Sequence, residues 1–321
     1  MNFSKVKKWI PFTKISPLKT FSPRLINKIF FITQLIASKI GFQGAKVITK
    51  LSDGNYQVKL NNDSNLGKKG TIINLPKDNV IFEYVKIYGF WAKNESQFLS
   101  KALQTAHNSP QTKVALIDIG ANVGLVTLSV MNLSETLTDI HLFEPIPIHT
   151  SALKHNLKNL IVSGEVFVNE FGLGSKPGRK IIYRDKGNSG NSSVFNAAVG
   201  IQNREEIEIS LMSAERYFED NLKQYEKLIL KSDIQGLDAE VLSNFPAEFW
   251  NKVEAAVIEV WAFIEIKSDE VVDLIAKISS FGNISWDPNF LNRTTFKEVE
   301  DFWLSKNNQQ RNLYLSKKPQ T

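Results

Sequence analysis

The sequence predicts an α/β fold with a mostly parallel sheet, preceded by an N-terminal extension. From about residue 114 onward, short apolar runs rich in β-branched residues alternate with stretches of helical periodicity. A glycine-containing turn follows the first of these runs. The chain has 321 residues, 42% of them hydrophobic, which is enough for one large domain with a substantial core.

The first fifty residues carry only positive charge. Ten lysines and arginines precede Asp53 and no aspartate or glutamate does, so the excess behind the net charge of +6 lies there. Apolar residues recur at helical spacing over 23–40, which predicts an amphipathic helix. Either this helix packs on the main domain, or residues 1–50 make a peripheral contact with an anionic membrane.

The same segment lacks the features of a membrane span or a secretion signal. Its apolar stretches are too short to cross a bilayer, because lysines and a glutamine interrupt them. Early prolines and scattered lysines leave no apolar region typical of a cleavable signal peptide. We therefore expect a cytoplasmic protein, with contact at the inner face of the membrane as the second interpretation.

The next elements are a hairpin, a strand and a broken helix. Two extended runs flank Asp53-Gly54 within residues 45–60, which predicts a β-hairpin, and 71–75 predicts a further strand. Helical periodicity over 80–104 is interrupted at Gly89-Phe90-Trp91. The predicted division is an extension over 1–79 and a main domain over 80–321.

The chain is organised around residues 114–124, which read Val-Ala-Leu-Ile-Asp-Ile-Gly-Ala-Asn-Val-Gly. This pattern predicts a buried parallel strand that turns sharply into a helix. Gly120 allows the tight turn, and Gly124 lets the helix pack close to the strand. A ligand could then approach backbone N–H groups at the helix N-terminus.

The residues of this turn favour one class of cofactor. A dinucleotide-binding turn would need glycines where Asn122 and Leu125 stand. Asp118, at the strand end, would repel a pyrophosphate but attract the ammonium group of an amino-acid-bearing cofactor. S-adenosylmethionine meets that demand.

Acidic residues at the ends of the next two strands complete the predicted cofactor site. The strand over 140–144 ends in Glu144, at the distance along the chain expected of an acid that binds both ribose hydroxyls. The strand over 165–169 is followed by Glu170. The predicted cofactor-binding residues are Asp118, Gly120, Asn122, Gly124, Glu144 and Glu170.

The remaining pattern continues the alternation of strands and helices. The polar loop over 186–193 is either a ligand-binding loop or a solvated connector. The last two extended runs predict an antiparallel hairpin that closes the sheet. The predicted strands after the loop lie over 206–211, 227–236, 255–260, 283–286 and 312–316, and the one over 227–236 ends in a polar cluster and a glycine. The predicted helices lie over 214–224, 237–244, 271–280 and 296–306.

Three charged residues on the fourth and fifth parallel strands are the catalytic candidates. Lys231 and Asp233 alternate with apolar residues, so they point to the same side where the chain leaves the sheet. We assign Asp233 as base or acceptor orienter, Lys231 as its electrostatic partner and Glu259 as a ligand of the substrate hydroxyl. The alternative is an ion pair that only stiffens the turn.

Residue composition limits the metal chemistry. The chain has no cysteine, which excludes disulfides and thiolate metal sites. The histidines do not show the helical spacing of a zinc protease site. No local ligand pattern demands a metal, so none is predicted. The four histidines are His107, His141, His149 and His155.

Taken together, these motifs resemble those of the FkbM-type methyltransferases. The resemblance covers about residues 80–316 and implies a Rossmann-like class I fold with a seven-stranded sheet and S-adenosylmethionine as cofactor. A glutamate is common in that family where Gln235 stands, so Gln235 receives no acid–base role. The residues that carry the resemblance are 118–124, 143–145, Asn156, Ser192-Ser193, 231–236, 240–242 and 258–260.

The resemblance implies methyl transfer, usually to a hydroxyl and often on a sugar or polyketide. A sulfonium methyl is already activated, so such an enzyme aligns the acceptor and removes its proton. The expected partner is a small-molecule or glycan hydroxyl acceptor, and not a nucleic acid. Two other classes stay open: a nicotinamide-dependent oxidoreductase, and a non-catalytic protein that docks through its basic N-terminus.

Overall fold

A computed structural model describes residues 43–318 apart from 108, 110, 135, 137, 164–165 and 200–203. The helix predicted over 23–40 lies outside the described residues. The strands are β1 (Ala45–Lys50), β2 (Asn55–Leu60), β3 (Ile72–Pro76), β4 (Val114–Ile119), β5 (Asp139–Phe143), β6 (Val166–Asn169), β7 (Gly172–Gly174), β8 (Gly178–Asp185), β9 (Arg204–Ser213), β10 (Lys227–Ser232), β11 (Val253–Trp261), β12 (Asn283–Ser285) and β13 (Gln310–Ser316).

The helices fall between these strands. A π-helical turn, Phe218–Leu222, extends the short α6, and a 3-10 turn spans Asn196–Ala198. The helices are α1 (Ile81–Tyr88), α2 (Lys93–Ala106), α3 (Leu125–Ser134), α4 (Pro147–Asn156), α5 (Lys158–Ser163), α6 (Ala214–Tyr217), α7 (Asp238–Ser243), α8 (Ala247–Lys252), α9 (Ser268–Ile278) and α10 (Phe296–Leu304). None of the helices in the described ranges is long and apolar enough to cross a bilayer.

The central sheet has seven strands in the order β12-β13-β11-β10-β4-β5-β6. The pairs from β11 to β6 are all parallel, and β13 runs antiparallel to both β11 and β12. This confirms the predicted mostly parallel sheet with an antiparallel hairpin at its end. The strand order reverses between β4 and β10, and ligands bind at such a switch point in open α/β sheets.

The side chains of β4 explain why this strand lies at the centre. All six of its residues are buried, and they alternate between two cores. Ala115, Ile117 and Ile119 face the core formed with α7 to α10. Val114 and Leu116 face the core formed with α2, α3 and α4. Fully burying such side chains contributes about 1.5–3 kcal/mol each, which makes the end of β4 a firm base for the site.

The predicted hairpin and the strand after it form a separate three-stranded antiparallel sheet, β1-β2-β3. Its buried face packs with α1 against Val123, Leu125 and Ala152. The predicted helix break is also present, since Gly89 ends α1 at φ +74° and α2 begins after Ala92 at φ +41°. The domain boundary at residue 79 stays a prediction.

The sequence did not predict the third sheet, in the order β7-β9-β8. Only one strand of it was expected, over 206–211. The β8 sequence Gly-Arg-Lys-Ile-Ile-Tyr-Arg-Asp is partly exposed along its length, so it lacks a clean apolar alternation. An antiparallel backbone ladder joins β8 to β9, and the ion pairs Arg179–Glu208 and Arg184–Glu205 cross between the two strands.

Candidate active site

A cleft of about 300 Å³ opens at the carboxyl ends of β4 and β10. Its walls come from the turn after β4, the start of α4, the loop over 188–192 and the turn after β10. Ile182, Ile209 and Leu211 of the third sheet close one side. The cleft therefore occupies the switch point of the central sheet, and the polar loop predicted over 186–193 is part of it.

Two glycines allow the turn after β4 to form. Gly120 and Gly124 adopt φ of +77° and +78°, a region that side chains rarely tolerate. A Cβ on Gly120 would lie 2.0 Å from the carbonyl oxygen of Asp233. Any larger residue at position 120 would therefore separate the two turns that form the floor of the cleft.

The backbone amides of this turn are already engaged within the protein. The N–H groups of Gly120 and Ala121 donate to the Phe143 carbonyl oxygen at 3.0 Å each, and that of Gly124 donates to Ala121. The Asn122 N–H donates to Glu144 Oε2 at 2.9 Å. The sequence led us to expect a row of free backbone amides, but the amides of these four residues are not free. These four residues therefore lack the free N–H groups that would bind a pyrophosphate.

Glu144 lies in the cleft at the end of β5. Its side chain is 5% exposed, and Oε1 accepts a second backbone hydrogen bond from the Ile146 N–H at 2.9 Å. A carboxylate has about four acceptor positions, so each oxygen keeps capacity for a ligand hydroxyl. The position therefore suits the predicted role in binding ribose hydroxyls.

Three buried polar atoms in the walls of this cleft have no hydrogen-bond partner within the described residues. They are Asn122 Oδ1, His149 Nε2 and Ser192 Oγ. Such groups are costly to bury unpaired, so atoms of this kind lining a cleft indicate a polar ligand. Adenosine and amino-acid groups offer the donors and acceptors that would satisfy them.

The loop that carries Ser192 is fixed by hydrogen bonds to two other parts of the chain. The Ser189 N–H and hydroxyl both donate to Asp78 Oδ2, which is buried before α1. Asn122 Nδ2 donates to the Ser189 carbonyl oxygen at 3.0 Å. The loop is therefore held over the turn after β4.

Asp118 is buried beside Lys231 and does not line the cleft. The parallel register of β4 and β10 places the two residues side by side. Lys231 Nζ lies 3.0 Å from Asp118 Oδ1 and donates to the Gly120 carbonyl oxygen at 2.6 Å. Thr127 donates to Asp118 Oδ2 at 2.7 Å. In this arrangement Asp118 holds Lys231 and, through it, the turn, and the contact predicted between Asp118 and a cofactor ammonium stays a prediction.

Lys231 does line the cleft, with its ammonium group almost fully buried. Burial lowers the pKa of Lys231, but the negative charges of Asp118 and Asp233 outweigh it and raise that pKa. Lys231 forms its ion pair with Asp118. It does not form one with Asp233, its predicted catalytic partner.

Asp233 is exposed and lines the cleft directly after β10. Gln235 connects it to Glu259, because Gln235 Nε2 donates to Asp233 Oδ1 and to Glu259 Oε2 at 2.8 Å each. Glu259 itself lies behind this bridge and does not line the cleft. The substrate contact predicted for Glu259 stays a prediction, and in this structure Glu259 reaches the cleft only through Gln235.

The carboxyl groups around Gln235 influence one another. Burial raises the pKa of Glu259, and the nearby charges of Asp233 and Asp238 raise it further. Burial also raises the pKa of Asp238, to about 7. Glu259 thus keeps its proton to higher pH than an ordinary glutamate. No pattern in the sequence predicts that Gln235 joins Asp233 to Glu259, because the two carboxyl groups lie on different strands.

A second cleft, of about 330 Å³, adjoins the first. Both are lined by Trp91, Val126, Lys231 and Asp233. Of the residues that line only the second cleft, Ser232 alone belongs to a motif singled out in the sequence. The predicted helix break at Gly89-Phe90-Trp91 was the other sign of this region. The residues found only in the second cleft are Tyr84, Ala92, Glu95, Ser232, Val257 and Asn312.

Glu170 is the predicted cofactor residue that the fold places elsewhere. Its side chain is exposed and pairs with Lys154 of α4, and it does not line either cleft. β6 lies at the edge of the central sheet, and β4 and β5 lie between it and β10. This position does not favour a direct contact with the cofactor, and the role predicted for Glu170 stays a prediction.

The chain is similar to known methyltransferases. A family model for the methyltransferase FkbM domain matches residues 118–285. Methyltransferase sdnD of Sordaria araneosa is 28% identical over 201 residues, covering 53% of this chain and 76% of that protein. Methyltransferase 1 of Beauveria bassiana (strain ARSEF 2860) is 27% identical over 162 residues, covering 45% of this chain and 64% of that protein.

Among solved structures, fibrillarin from Aeropyrum pernix in complex with S-adenosyl-L-methionine aligns with a TM-score of 0.33 and 12% identity. The alignment covers 84% of this chain and 99% of that chain. A structural likeness this weak does not support a conclusion about function. The family match is more informative, because it begins at Asp118 and ends with β12.

Proposed function

The chain belongs to the FkbM methyltransferase family, and on that premise we propose that it methylates a hydroxyl of a sugar, a glycan or a related secondary metabolite. S-adenosylmethionine is its cofactor, and methyl transfer is its activity. The transfer to oxygen and the nature of the acceptor are the proposed parts.

The observation that carries the proposal is the position of the Asp233 carboxylate, which borders both clefts. An aliphatic hydroxyl is a poor nucleophile until its proton is leaving. A carboxylate within hydrogen-bond reach of the acceptor can take that proton or orient the hydroxyl. Gln235 donates a hydrogen bond to Asp233 Oδ1. This bond favours one orientation of the Asp233 carboxylate.

Residues of the first cleft would hold the cofactor. Glu144 suits the ribose hydroxyls, and the unpartnered atoms of Asn122, His149 and Ser192 suit other polar groups of the ligand. Bound S-adenosylmethionine supplies a methyl group that its sulfonium already activates. Lys231 and Asp118 fix the turn on which these contacts depend.

The other two functional classes fit less well. A nicotinamide dinucleotide would need pyrophosphate contacts, and the amides of Gly120, Ala121 and Asn122 are already used within the protein. A purely docking protein would have no need for unpartnered polar atoms in a cleft beside an exposed carboxylate.

Transfer of a deuterated methyl group tests the proposal. We expect S-adenosylmethionine labelled at the methyl group to yield labelled methyl ethers with neutral methyl glycosides, detected by mass spectrometry. Matched glycosides in which an amine replaces one hydroxyl serve as the comparison. Labelling confined to the amine, or no labelling of a glycoside by enzyme that binds the cofactor, would contradict O-methylation.

A further inference from the structure

We infer that the second cleft is the acceptor site and that it selects an uncharged hydroxylated ring over an anionic one, with Glu95 and Asn312 orienting the ring hydroxyls. The inference rests on the proposed function and assigns its substrate to particular residues. It concerns a part of the chain outside the family match, since Tyr84, Trp91 and Glu95 precede residue 118 and Asn312 follows residue 285.

The continuity of the two clefts supports this assignment. Reacting atoms in a methyl transfer must approach to about 3–3.5 Å, so the acceptor space must open directly onto the cofactor space. The second cleft does so, because Trp91, Val126, Lys231 and Asp233 line both. Asp233 would then face an acceptor hydroxyl from the common wall.

One side of the second cleft is an aromatic and aliphatic surface. Tyr84 and Trp91 pack edge to face with their ring centroids 5.4 Å apart. Trp91 lies in the break between α1 and α2, where Gly89 and Ala92 both have positive φ. Together with Val126 and Val257, these rings form an apolar wall against which the C–H face of a saturated ring can pack.

The second cleft also contains a pair of polar side chains that can form hydrogen bonds with hydroxyl groups. Asn312 Nδ2 donates to Glu95 Oε1 at 2.8 Å. Burial and the charge of Asp233 raise the pKa of Glu95, so a further negative charge at this position would be unfavourable. The Glu95 oxygens can accept hydrogen bonds and the Asn312 amide can donate one, and a hydroxyl group, which does both, is the matching partner.

The charges around the cleft explain the selectivity. Glu95 and Asp233 would repel a carboxylate or phosphate on the acceptor. Lys231 offers no free counter-charge, because it is paired with Asp118. An uncharged ring avoids this repulsion.

A blocking substitution tests the location. Ala92 lines the second cleft but not the first, so Ala92→Trp should fill the acceptor space and spare the cofactor. The measurement is calorimetric titration of methyl α-D-glucopyranoside into protein saturated with S-adenosylhomocysteine. We expect wild-type protein to bind the glycoside and Ala92→Trp to bind it at least about tenfold more weakly, since a filled pocket excludes its ligand. Gln97→Trp, on the exposed side of α2, should bind as the wild type does.

A charge-removing substitution tests the selectivity. Wild-type protein should bind methyl α-D-glucopyranosiduronate at least about tenfold more weakly than the neutral glycoside, and Glu95→Gln should reduce that preference. Failure of the glycoside to bind wild-type protein, equal binding to Ala92→Trp, or equal binding of the two sugars would each overturn the inference. If wild-type protein failed to bind S-adenosylhomocysteine, that result would instead count against the cofactor site on which the proposed function depends.

Discussion

Asp233→Asn is expected to slow methyl transfer by about 10²–10⁴-fold, the usual contribution of a positioned acid or base, while S-adenosylhomocysteine binds normally. The amide is nearly the same size as the carboxylate but cannot take a proton from the acceptor. Its oxygen can still accept the hydrogen bond from Gln235. Because Asp233 is exposed, the substitution should cost little folding free energy.

The measurement is a single-turnover rate at saturating cofactor, which separates chemistry from binding and product release. Asp269→Asn, an exposed aspartate at the start of α9, is the matched control and should keep the wild-type rate. An unchanged rate in folded Asp233→Asn protein would remove Asp233 from the mechanism. Lys231 would then be the charged side chain left to test at the junction of the clefts.

Asp118→Ala is expected to lower the free energy of unfolding by about 3–5 kcal/mol, since it leaves the buried Lys231 ammonium without its partner. Asp118 is 1% exposed, and Lys231 Nζ lies 3.0 Å from its Oδ1 atom. The turn after β4 should loosen as well, because Lys231 also binds the Gly120 carbonyl oxygen. Weaker cofactor binding would then be an indirect effect of the same change.

Denaturant unfolding of the variants measures this effect. Asp220→Ala, which breaks the exposed pair with Arg216, is the control and should cost at most about 1 kcal/mol. The double variant Asp118→Ala/Lys231→Met should recover part of the loss, because it removes the unpaired charge as well. A loss in Asp118→Ala no larger than in the control would show that the buried pair does not hold the turn.

The sheet and its turn could be predicted because their signals are local. The apolar run of β4, the glycines at 120 and 124 and the alternation of later strands with helices each reflect backbone and burial requirements within a few residues. The position of Glu144 followed in the same way, since it ends the strand adjacent to β4.

The partners of charged side chains could not be predicted, because they depend on register between distant strands. Asp118 lies 113 positions before Lys231, and only the pairing of β4 with β10 brings them together. The same is true of Gln235 with Glu259 and of Glu95 with Asn312. The position of Glu170 depends on the sheet in a related way: the end of its strand was expected at the site, but β6 is at the sheet edge.

Calorimetric titration of S-adenosylhomocysteine into wild-type, Glu144→Gln and Glu170→Gln protein tests the placement of the cofactor most directly. Glu144 lines the first cleft, whereas Glu170 is exposed on the surface and serves as the matched control. We expect Glu144→Gln to weaken binding by about 10–100-fold, the cost of roughly 1.5–3 kcal/mol for a lost hydrogen bond to a charged group. Glu170→Gln should bind as the wild type does. Equal affinity of all three folded proteins would contradict a cofactor site at the carboxyl ends of β4 and β10.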